Sequence, residues 1–179
     1  MKIKLGHPTL IKIYPNRESF SEGIKSELKW GEAPDWLTTA CGENIILLLS
    51  SKTEIYKYHK SNAIHEFVNI ILRKLRSDNV ILWSLWEGVA RYEVGKIFPE
   101  NNQNYTLKKE HLPNSIEDMF SWTLNDGVKV YSCGLSLVAF IVENYGYDKF
   151  IELYKKDYSN NDFDYETREI YEKWIVKVR

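Results

Sequence analysis

An α+β fold, with a small mixed β-sheet at the N-terminal end and a mainly helical remainder, follows from three features of the sequence. Short apolar runs bounded by turn residues occupy roughly the first fifty positions. Longer stretches with apolar residues at helical spacing fill the rest. The length of 179 residues, 44% of them hydrophobic and 27% charged, suits one domain with its own core and argues against disorder.

Leu10 to Tyr14 alternates apolar and polar residues and stops at Pro15-Asn16, the pattern of a strand. Ser19 to Lys29 places Phe20, Ile24 and Leu28 on one helix face, with Ser19 or Ser21 available as a cap. Trp36 to Cys41 and the continuous apolar run Ile45 to Ser50 read as two strands joined by the Gly42-Glu43-Asn44 turn. The order β, α, β, β gives a sheet with a helix packed on it. Ser61 to Arg76 reads as a long helix capped by Ser61, with Ile64, Phe67, Val68, Ile71, Leu72 and Leu75 as its apolar side. Ile81 to Val94 is a second helix ending near Gly95, and 98–114 is a polar loop. Tyr131 to Tyr145 is a third helix closed by Gly146, and a new one starts at Asp148. Tyr165 to Lys177 is a final amphipathic helix. One domain, 1–179, is expected, with a sheet-rich part over 1–58 and a helical part over 59–179.

The 24 basic and 25 acidic residues nearly cancel, and no basic stripe stands out, so nucleic acid is not an expected partner. No run approaches the ~20 apolar residues of a membrane span, so none is expected. The first residues lack the apolar stretch of a signal peptide, so the chain as it begins reads as cytoplasmic, or as secreted if a leader has been removed. Cys41 and Cys133 form no CxxC and are open to two readings, one disulfide or two buried thiols; a domain this size does not need the disulfide.

Of the four histidines, only His65 sits inside a strongly periodic helix, with Glu66 beside it. His65 and Asn69 are four apart and lie one above the other on one helix face. The next helix carries Leu85-Trp86-Glu87-Gly88-Val89-Ala90-Arg91-Tyr92, with 17 residues between Asn69 and Glu87. A carboxylate among Trp83, Leu85, Trp86 and Val89 is costly to bury unless it is paired or metal-bound.

These two elements resemble the gluzincin, or peptidase MA-like, family of zinc metallopeptidases. There a helix bearing His-Glu-x-x-His is followed by one bearing Glu-Gly-x-Ala-x-Tyr. The first element stands here as His65-Glu66-Phe67-Val68-Asn69. Tyr131-Ser132 to Tyr145-Gly146, followed by Asp148-Lys149-Phe150, fits the family's later helix, and Ala33-Pro34-Asp35-Trp36 onward resembles the strand pair beside its cleft. The resemblance implies a zinc ion on His65, Glu87 and the residue at 69, which lowers the pKa of a bound water to about 7. It implies Glu66 as the general base that takes the water's proton, and Tyr131 as a hydrogen-bond donor to the developing oxyanion. It implies a peptide or protein partner, held along the edge strand by Trp36, Thr38, Thr39 and Ala40 and against Trp86.

Asn69 departs from this pattern, because it stands where the second histidine belongs. A neutral amide oxygen suits hard cations better than zinc. Three outcomes stay open. The zinc site is empty and the protein is a pseudo-peptidase. A weak site persists through His65, Glu87 and water. Or His59 or His111 reaches in from a loop as a replacement ligand. A peptide- or protein-binding module without catalysis competes with all of these. Other hydrolase and nucleotide motifs, GxSxG, GxxxxGK[ST] and GxGxxG, are missing from the sequence, and Cys133-Gly134 at a helix start is the only hint of an activated thiol.

Overall fold

Ile45–Leu49 is apolar at every position, as befits a strand covered on both faces, and the computed structural model places it at the centre of the sheet. The structure describes residues 7–50, 55–76, 82–158 and 162–179, with the side chains of 55–57 excepted. The element order begins β1 (Leu10–Tyr14), α1 (Arg17–Gly23), β2 (Thr39–Cys41), β3 (Ile45–Leu49) and α2 (Ile55–Leu75). It continues with α3 (Trp83–Ile97), α4 (Ile116–Ser121), α5 (Val128–Lys155) and α6 (Tyr165–Val178). The fold is therefore α+β, with a three-stranded mixed sheet and a helical remainder. The chain divides into two compact units, Met1–Leu75 and Arg76–Arg179, so α2 groups with the sheet.

In the first unit the strand order is β1-β3-β2. β1 runs parallel to β3, with Leu10 opposite Ile45, and β2 runs antiparallel, with Thr39 opposite Leu48. Successive side chains of β3 point to opposite faces. Leu47 therefore meets Phe20 and Ile24, while Ile46 and Leu48 meet Ile70 and Ala63 of α2. Asn16 caps α1 in place of either serine, its side chain accepting from the Ser19 amide at 2.9 Å. The helix continues as a π-helical turn, Ile24–Leu28, which ends on left-handed Lys29.

Two expectations are corrected here. The strand expected over Trp36 to Cys41 shortens to Thr39–Cys41. Arg17 donates to the Pro34, Asp35 and Leu37 carbonyls and holds 34–37 as a turn, which leaves Trp36 on the turn and 67% exposed. Helix α2 starts six residues before Ser61, at Ile55. Ser61 is thus interior, and its hydroxyl donates to the Tyr58 carbonyl at 3.0 Å instead of capping.

In the second unit α3 and α5 cross at Gly88 and Gly134. A Cβ on Gly88 would overlap the Gly134 carbonyl and lie 2.9 Å from its Cα, and one on Gly134 would overlap the Ser84 carbonyl oxygen. Only glycine permits this backbone-on-backbone approach. Helix α3 runs through Gly95 to Ile97, and Asn102 donates to the Arg91 carbonyl, which holds the next segment against the helix. That segment, expected as an irregular loop, contains 3-10 turns at Pro99–Tyr105 and Lys109–His111. Helix α4, unforeseen in the sequence, is capped by Ser115, and Ser84 Oγ of α3 donates to its Met119 carbonyl at 3.1 Å. Gly146 breaks α5 as expected, with φ 83°. Trp174 of α6 is fully buried and donates to Ser136 of α5 at 3.0 Å. Among the described residues no helix is long and apolar enough to cross a membrane.

Candidate functional site

The sequence periodicity points α2 at its core through Phe67 and Ile71, but the structure turns a different face inward. Phe67 stays 38% exposed, and the buried residues are His65, Glu66, Asn69, Ile70 and Leu72, together with His59 and Ser61. Buried polar groups need partners, and β2 supplies one. Thr39 Oγ1 donates to Glu66 Oε1 at 2.6 Å, the short distance typical of a hydroxyl on a carboxylate. Asn69 Nδ2 makes a long 3.5 Å contact with Glu66 Oε2. Both carboxylate oxygens of Glu66 therefore face protein donors. Asn69 Oδ1 points elsewhere, buried and without a hydrogen-bond partner.

β2 lies at the edge of the sheet, as expected. Its Thr38 carbonyl and the Gly42 amide bond to β3. By antiparallel alternation the backbone groups of Thr39 and Cys41 then face away from β3. Arg73 donates to the Cys41 carbonyl at 3.3 Å, which narrows the open edge to little more than Thr39. Thr38 is exposed just before the strand, and Ala40 is buried in the core on the α1 face. Of the residues expected to line a substrate edge, Thr39 is the one brought to the polar cluster.

One of the three open alternatives brought His59 or His111 in from a loop as a replacement ligand. His59 instead lies within α2, buried, with Nε2 3.3 Å from the Leu49 carbonyl oxygen. His111 lies in a 3-10 turn with Nδ1 3.1 Å from Ser132 Oγ. Among the described residues no three His, Cys, Asp or Glu side chains group as a metal site would require. The position that completes the set offers an amide whose nitrogen is turned to Glu66.

On α3, Trp86 and Glu87 are both 5% exposed. One turn on, the Arg91 guanidinium lies 4.4 Å from the Tyr105 ring centroid and 5.3 Å from that of Tyr131. The two rings are themselves 5.2 Å apart. Tyr131, expected beside an oxyanion, is a half-buried member of this cation–aromatic group. Arg91 drew no attention in the sequence, where it is an unremarked position between Ala90 and Tyr92. An ungrouped arginine has no sequence signal; only the fold brings Tyr105 and Tyr131 to it.

The thiol hint at Cys133 does not survive. Neither cysteine forms a disulfide and both are buried, and burial pushes the Cys133 thiol up to about 12. Its Sγ–H donates to the His111 carbonyl at 3.0 Å. A thiol held neutral in this way is a packing group, not a nucleophile.

No protein-family model matches the chain, and neither a curated protein nor a solved structure matches it significantly.

Proposed function

We propose that the chain is a metallopeptidase-like protein whose zinc site is impaired, and that it binds peptides without cleaving them. One observation carries this reading: the carboxylate at the general-base position is hydrogen-bonded by Thr39 and approached by the very amide that replaces a histidine. A general base must reach the proton it takes. Glu66 instead organises a local polar cluster. The three positions that the resemblance assigns to the metal offer one imidazole, one amide and one carboxylate, a poor set for zinc.

Zinc analysis of protein purified without chelators tests this. The expected content is below about a tenth of an equivalent, because loss of an imidazole ligand costs at least the ~10–100-fold of an outer-shell partner. Stoichiometric zinc with zinc-dependent peptide hydrolysis overturns the reading. The Asn69→His variant is expected to gain zinc binding by at least the same factor. If it does not, the positions assigned by resemblance are wrong.

A further inference from the structure

We propose that Arg91 is an anchor for the C-terminal carboxylate of a bound peptide. The proposal rests on the peptide-binding reading above and specifies which part of the peptide is recognised. Arg91 is half-buried, and its Nε is wholly buried without a hydrogen-bond partner. Among the described residues no carboxylate pairs with its guanidinium, which lies against the rings of Tyr105 and Tyr131. Stacking occupies the flat faces of a guanidinium and leaves its in-plane N–H fork available. A buried donor with no acceptor is costly, so this cation is arranged for an acceptor that comes with a ligand.

The surroundings narrow the chemistry. Asn101, in the same 3-10 turn as Tyr105, also has a buried Nδ2 without a partner. Its neighbour Asn102 fixes the turn to the backbone of Arg91, donating to the carbonyl at 3.1 Å. The backbone of Arg91 is thus tied to the turn that carries Tyr105. A planar, bidentate acceptor matches the guanidinium fork best. Under the peptide-binding reading, the carboxylate at the end of a peptide chain is such an acceptor.

The test uses the full chain and fluorescein-labelled decapeptide pools of randomised sequence, prepared as free acids and as C-terminal amides. A third pool, amidated, carries glutamate at the penultimate position. Fluorescence anisotropy should show the free acids binding about tenfold or more tightly than the amides, the scale of a charge-assisted hydrogen bond. Arg91→Gln should bring that ratio to about one by weakening the free acids, and Arg91→Lys should restore part of it. Equal binding of free acids and amides by the wild type overturns the anchor and leaves peptide binding standing. Equal binding of the glutamate-amide pool and the free acids overturns the assignment to the chain terminus. No binding of any pool overturns both the anchor and the peptide-binding reading. A second measurement is independent of variant folding: the Arg91 Nε–H resonance should shift with N-acetylalanine and not with N-acetylalaninamide. An unmoved resonance overturns the proposal.

Discussion

The polar cluster of the sheet unit and the helix crossing of the helical unit use two different kinds of contact. At Gly88 and Gly134 backbone meets backbone, and no side chain larger than hydrogen has room. At Glu66 side chain meets side chain, through Thr39 Oγ1 and Asn69 Nδ2. Side-chain partners can be exchanged while the helices stay in place, whereas a backbone contact cannot be relaxed without moving a whole helix. Substitution at the polar cluster can therefore change its chemistry while the backbone stays as it is, whereas substitution at the crossing displaces a helix.

The strongest way to break that contrast is at the crossing. Gly134→Val should destabilise the protein by about 3 kcal/mol or more, the upper end of overpacking, because the atom in its way is a backbone carbonyl. Urea unfolding measures it. A loss below about 1 kcal/mol would mean that the helices separate easily and the contrast is unreal. A smaller effect is expected at the cluster. Thr39→Val removes the 2.6 Å hydroxyl from a buried carboxylate and should cost about 1.5–3 kcal/mol. Thr39→Ser keeps the hydroxyl and should recover most of this; if Ser is as destabilising as Val, the methyl group and not the hydrogen bond matters there.

The smallest effect belongs to the half-exposed charges at the start of α6. Asp164 caps that helix through the Thr167 amide at 2.8 Å and pairs with Lys156 at 2.7 Å. The Lys156 ammonium and the Thr167 donors pull its carboxyl down from 3.8 to about 2. A depressed carboxyl contributes stability that is present above its unfolded value and lost as pH falls through the folded one. Asp164→Asn keeps a capping oxygen and removes the charge. Its cost near neutral pH should stay below about 1 kcal/mol because the pair is exposed, and it should fade as pH drops from about 4 to about 2. Thermal melts of both proteins across that range measure the difference, and a constant gap would show that the charge plays no part.

Much of the fold was legible. The unbroken apolar run Ile45–Leu49 announced a strand, and Gly146 announced the end of one helical stretch before the next. Strong local preferences, summed over several residues, survive tertiary packing. The site was less legible. The apolar spacing of α2 pointed Phe67 inward, while the structure buries His65, Glu66 and Asn69. Periodicity registers hydrophobicity alone and misses a polar face whose carboxylate is satisfied by a strand 27 residues away in sequence. The extent of β2 was misjudged for a related reason. Trp36 has strand propensity, but Arg17 captures the carbonyls around it and holds a turn.

By itself the sequence determined the α+β class, the order of the strands and the longer helices, and the identities at the motif positions, including the asparagine at 69. These depend on local spacing and on residue type, which need no knowledge of distant neighbours. Only the tertiary structure decided what those residues touch. It gave Glu66 to Thr39 and Asn69, tied His59 to Leu49, and set Arg91 against two tyrosines. Hydrogen bonds and cation–aromatic contacts are short-ranged in space and blind to separation along the chain. The meaning of a residue such as Arg91 therefore appears only once the backbone has brought its partners within reach.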